Sequence, residues 1–122
     1  MTLSPRSDRE AAEPLADPAT VIAQRFGGDA ALYDAFAAAC AEQFVHDLAA
    51  GQAACEAGDL PELTRLAHNL KSALTMLGHE SVGVLAGRVE AQAGAGQTPA
   101  AFESWRALAA VLQRLKPGIA AP

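Results

Sequence analysis

Leu63, Leu66, Leu70, Leu74 and Leu77 follow one another at intervals of three and four residues. At about 100° per residue, that spacing gathers all five leucines, together with Ala73, into one arc of an α-helix. A segment built this way must bury one face against another element. The rest of the chain supplies helices to meet it. Thirty of its 122 residues are alanine, whereas valine, isoleucine and the aromatic residues that strands favour are scarce. The expected fold class is all-α.

Helix start and stop signals divide the chain. Asp17-Pro18 reads as an N-cap followed by proline at the first helical position, opening a short helix that stops at Gly27-Gly28. Asp29 caps a long helix with an apolar stripe of Leu32, Phe36, Cys40, Phe44 and Leu48, interrupted by a kink at Gly51 and ended by Gly58. Asp59 and Pro61 open the leucine helix, and Gly78 closes it. A helix from Glu80 to Ala93 buries Val82, Leu85 and Val89. Thr98-Pro99 opens the last, with Phe102, Trp105, Ala109 and Leu112 inward and Pro117-Gly118 at its end. Short loops between four substantial helices favour antiparallel neighbours, so the expected architecture is an up-down-up-down four-helix bundle with a short additional N-terminal helix. Residues 1–17 read as a polar tail, 18–116 as the bundle and 117–122 as a C-terminal tail.

Composition narrows the function. The formal net charge is −5, with acids and bases mixed, which argues against a nucleic-acid binder and its basic face. No apolar run approaches the roughly 20 residues needed to span a bilayer, and the N-terminus has no apolar signal core. No membrane is therefore expected, and the expected location is cytoplasmic. Cys40 and Cys55 lie fifteen residues apart in one helical region. A continuous helix separates them by about 22 Å, far beyond disulfide reach, which suits two small hydrophobes in a reducing compartment. The histidines and cysteines show no close-paired spacing for a metal, so none is expected.

The leucine helix carries chemistry on its other face. His68 lies roughly 160° from the middle of the core arc, so its imidazole points to water. Thr64, Ser72 and Thr75 fall within about 40° of it, and Lys71 and Arg65 flank it at about 60° on either side. A neutral imidazole is a nucleophile that can carry a covalent intermediate, and a phosphoryl group placed on it would bring charge for Lys71 to offset. An exposed histidine between two bases is also what an ordinary solvated face looks like.

The run HNLKSALTMLG at His68–Gly78 resembles the motif of histidine-containing phosphotransfer (HPt) domains: a histidine, a lysine three later, small residues, and a glycine ten after the histidine. FGGD at Phe26–Asp29, AGD at Ala57–Asp59 and V-x-x-L-x-x-x-V-E at Val82–Glu90 fall where that family has similar residues, so the resemblance covers roughly residues 20 to 115. It implies a phosphorelay intermediate of two-component signalling. His68 would accept a phosphoryl group from a receiver-domain aspartate and pass it to another receiver. Lys71 would support the phosphoryl charge, Gly78 would end the motif helix, and Arg65, Ser72, Thr64 and Thr75 would meet the partner. The family often has glycine where this chain has Ser72, and a small residue where it has Leu74. Implied partners are response-regulator receiver domains and a hybrid or sensor histidine kinase. No cofactor is implied in this chain, and magnesium is expected only in the receiver.

With no Gly-rich phosphate loop, paired carboxylates or triad, the chain reads as a phosphotransfer protein without kinase or phosphatase activity of its own. The alternative is a non-catalytic helical module that holds a receiver or kinase without being phosphorylated. His46, beside Asp47, reads as a partly solvated surface residue. HESVGVL at His79 faintly resembles the phosphorylated box of kinase dimerisation helices, but His79 follows a helix-ending glycine, where a cation suits the helix dipole.

Overall fold

The structure, a computed structural model, describes residues 17–115. The expected tails (Asp17 apart) and the helix stop at Pro117-Gly118 lie outside the described residues. Among these there is no strand, and five α-helices follow one another: α1 (Pro18–Arg25), α2 (Ala30–Ala57), α3 (Leu60–Met76), α4 (Glu80–Gly94) and α5 (Thr98–Leu115). The class is all-α. No helix among the described residues is long and apolar enough to cross a membrane.

The starts of α2 and α3 are made by side chains. Asp29 accepts from the Leu32 amide at 2.9 Å and Asp59 from the Glu62 amide at 3.1 Å, satisfying donors that a first helical turn leaves open. Asp17 precedes α1 as expected, but its carboxylate takes the Thr20 hydroxyl at 2.9 Å instead of a backbone amide. The last helix begins at Thr98 itself, with Pro99 in its second position. Corners of two or three residues join α2 to α3, α3 to α4 and α4 to α5, the length of antiparallel αα-hairpins.

These four helices close a ring: α2 packs on α3, α3 on α4, α4 on α5, and α5 back on α2. Inside lie Leu63, Ala67, Leu70 and Leu74 of α3, Val82, Ala86 and Val89 of α4, and Ala101, Trp105, Leu108 and Leu112 of α5. Each fully buried leucine or valine contributes about 1.5–3 kcal/mol. Leu85, Phe102, Ala109 and Leu48, expected inward, pack against this core only partly buried.

One expectation about α2 is corrected. Leu32 is 53% exposed and not part of the stripe. The first turns of α2 pack instead on the corner after α1, where the Phe26 ring meets Tyr33 edge-on at 5.4 Å and Phe36 at 5.8 Å. Gly51 is buried within α2. The helix continues through it, and a Cβ at that position would overlap the buried indole of Trp105. Glycine is what lets α5 lay its largest side chain against α2.

Candidate functional site

The α3–α4 corner sets the register of the site. α3 ends at Met76, Gly78 takes φ +88°, a left-handed value that a side chain would resist, and the His79 amide reaches back to the Leu74 carbonyl at 2.9 Å. α4 then runs back antiparallel along α3. Facing residues sit at equal distances on either side of His79: Thr75 meets Gly83, Lys71 meets Gly87, His68 meets Glu90, and Thr64 meets Gly94.

The third of these rungs joins two titratable side chains. The His68 side chain is 59% exposed, and its Nδ1 lies 2.9 Å from Glu90 Oε2. The other Glu90 oxygen, Oε1, takes Lys71 Nζ at 3.0 Å. Glu90 itself is only 25% exposed. The hydrogen bond from Lys71, and then that from His68, hold its carboxyl below the ordinary glutamate value. An ionised carboxylate only accepts hydrogen bonds, so the proton between His68 and Glu90 belongs to Nδ1. A neutral imidazole protonated there carries its lone pair on Nε2, and Nε2 has no hydrogen-bond partner among the described residues.

The other residues expected on this face divide between two sides. Arg65 is drawn away from His68 by a bidentate pair with Glu62, at 2.6 and 3.0 Å, which holds the Glu62 carboxyl below its ordinary value. Its charge also acts on Asp47 across the α2–α3 cleft. The histidine therefore does not stand between two equivalent cations: Lys71 shares its carboxylate and Arg65 belongs to the far side. Thr64 is half-buried, with its hydroxyl donating to the Leu60 carbonyl at 2.8 Å. Ser72 is exposed, and its hydroxyl is directed to the His68 carbonyl at a long 3.4 Å. Thr75 has its Oγ1 against Gly83.

A shallow depression opens beside Lys71, lined by Arg25, Ser72, Thr75 and Met76. Past Lys71 and Thr75 it continues onto α4 at Glu80, Gly83, Val84 and Gly87. Met76 and Val84 are exposed apolar side chains on this ground, Val84 at 65%. Arg25 ties α1 to it by donating to the Thr75 carbonyl and pairing with Glu80 at 2.6 Å.

The competing histidines lie elsewhere. His46 is on the exposed face of α2, next to a cleft that contains Asp47, Gln43, Arg65 and Asn69. Asp47 is 8% exposed, and burial pushes its carboxyl above the ordinary value against the opposing hydrogen bond from Gln43 at 3.1 Å. His79 is the residue before α4, at the N-terminal end of that helix. Its backbone amide also closes the C-terminal end of α3 by reaching the Leu74 carbonyl. Among the described residues, no group of three or more His, Cys, Asp or Glu is arranged to hold a metal ion, and both cysteines are free.

Glu90 is the site residue to which the sequence alone gave no role. The signal was present in two parts: its place at the end of V-x-x-L-x-x-x-V-E, and its position as far beyond His79 as His68 lies before it.

Comparison with known protein families matches residues 32–118 to the Hpt domain. No curated protein and no solved structure matches the chain.

Proposed function

Because the chain belongs to the Hpt domain family, whose members take part in two-component phosphorelays, we propose that His68 is its phosphoacceptor and that transfer occurs at Nε2. The observation that carries this reading is the bond from His68 Nδ1 to the Glu90 carboxylate. It fixes the ring orientation and leaves the nucleophilic lone pair on the nitrogen that faces outward.

In the proposed step, the Nε2 lone pair attacks the phosphorus of an aspartyl phosphate on a receiver domain. The P–N bond forms as the P–O bond to the aspartate breaks, and the aspartate leaves as a carboxylate. The imidazole keeps its Nδ1 proton, and the positive charge it gains is balanced by Glu90. Onward transfer runs the same exchange in reverse to a second receiver. Phosphoryl transfer depends on positioning and charge neutralisation, and the receiver supplies the magnesium ion and most of the latter. Lys71 supports the site by holding Glu90 and stands one turn from the imidazole, near the transferred charge. The depression beside it, with Met76 and Val84 exposed, supports receiver docking over α3 and α4. The setting is cytoplasmic, with a hybrid or sensor histidine kinase upstream.

The test is label transfer. Incubation with a phosphorylated receiver is expected to label this chain, to label His46→Gln and His79→Gln equally well, and to leave His68→Gln unlabelled. Undiminished label on His68→Gln would overturn the assignment. Binding of receivers without any label would make the chain a docking module.

A further inference from the structure

We propose that Gly83 and Gly87 are positioning residues for His68: by letting α4 lie close against α3, they bring the Glu90 carboxylate within reach of both His68 and Lys71. The inference rests on the reading of His68 as phosphoacceptor and concerns how that side chain is held.

Glycine inside a helix is costly, because it gives up more backbone freedom than other residues and packs no side chain. α4 nevertheless has Gly83 and Gly87 in its interior. At spacings of four and three, Gly83, Gly87 and Glu90 form one stripe, and that stripe faces α3. α3 and α4 share the most extensive contact in the bundle. A Cβ at position 83 would stand 2.9 Å from Thr75 Oγ1, with the Lys71 carbonyl oxygen at 3.7 Å. At position 87 it would stand 3.3 Å from Lys71 Cδ. The first is too close for a Cβ, so the Thr75 side chain or the backbone of α4 must shift, and the second asks the Lys71 stem to give by a few tenths of an ångström. Farther along, a Cβ at Gly94 would be 4.0 Å from the Thr64 methyl, an ordinary contact. The helices are thus tightest over the two turns between the corner and Glu90.

What those turns deliver is a matter of tenths of an ångström. The two bonds to Glu90 are 2.9 and 3.0 Å, and hydrogen bonds weaken steeply as they lengthen toward 3.5 Å. Displacing α4 outward at Gly83, or the Lys71 stem at Gly87, acts directly on that pair.

The experiment reads the imidazole directly, without phosphotransfer. In ¹⁵N-labelled protein, above the pH at which the ring is neutral, the parent is expected to hold His68 in the Nδ1–H tautomer. Gly83→Ala and Gly87→Ala are expected to shift it toward Nε2–H, while the Glu90 carboxyl titrates closer to an ordinary glutamate. Gly83→Ala combined with Thr75→Ala removes the atom that the new methyl meets and is expected to restore the parent tautomer. Parent-like tautomer and titration in both single variants would overturn the proposal, as would failure of the double variant to recover. Gly87→Ala meets only a flexible lysine stem, so it keeps the test open if Gly83→Ala does not fold. A parent that takes no label from any receiver fails the phosphoacceptor reading, while the tautomer measurement still decides the glycines.

Discussion

An imidazole bonded through Nδ1 to an ionised carboxylate differs from a free one in two respects: its tautomer is fixed, and the charge it acquires during attack is met at once. Both depend on Glu90. Replacing it by alanine removes a hydrogen bond to a charged group, worth about 1.5–3 kcal/mol, which corresponds to a transfer rate lower by roughly 10- to 100-fold. Glu90→Gln, which retains an acceptor but not the charge, is expected to fall between alanine and the parent in single-turnover transfer. Glu90 also contributes to the pH dependence of stability. Its folded-state carboxyl lies below the unfolded value of about 4.3, so the stability from its pairing is present above that value and is lost as pH falls through the folded value. Asp47 has the opposite sign. Burial raises its carboxyl, so the cost of ionising it appears as pH rises from the unfolded value through the folded one. Asp47→Asn is therefore expected to melt higher than the parent at pH 7 and no higher near pH 3, as measured by circular dichroism.

Among the helices, those with strong end signals were the most legible. Asp29, Asp59, Gly58 and Gly78 mark boundaries that the structure reproduces within a residue or so, because capping is a local transaction between a side chain and the next turn. The α3 core arc was legible too, since five leucines at helical spacing leave one way to face. Long-range packing was not. Nothing near Leu32 says that it stays exposed while Phe26 packs on Tyr33 and Phe36, and nothing near Gly51 says that Trp105 arrives there from α5. In the site, the outward direction of His68 follows from helical angles, whereas Glu90 needs the α3–α4 register as well. Arg65 and Lys71 are symmetric on a helical wheel, and only the neighbouring helices tell them apart. Two substitutions test the packing. Leu70→Ala, at the centre of the arc, is expected to cost about 2–5 kcal/mol in denaturant unfolding. Gly51→Ala raises helix propensity, yet it is expected to destabilise by about 1–3 kcal/mol, because Trp105 has to move.

The molecule as a whole keeps its stabilising face apart from the face proposed for phosphotransfer. Leucines of α3 close the bundle while His68, Lys71 and Ser72 look outward, and α4 contributes both to the core through Val82 and Val89 and to the site through Glu90. A change on the outer surface can therefore affect docking without affecting the fold. Val84→Glu adds a negative charge to the apolar ground beside Lys71. It is expected to weaken receiver binding, measured by titration calorimetry, by about tenfold or more. Stability should change by less than about 0.5 kcal/mol, as at other exposed positions.

In the proposed site Glu90 holds Nδ1 of His68 so that Nε2 takes the phosphoryl group. Phosphorus–nitrogen correlation by NMR on ¹⁵N-histidine-labelled protein, phosphorylated from a receiver, reads the bond itself. A single phosphohistidine is expected at His68, with phosphorus on Nε2 and the proton retained on Nδ1. Phosphorus on Nδ1 of His68, or on His46 or His79, would contradict it.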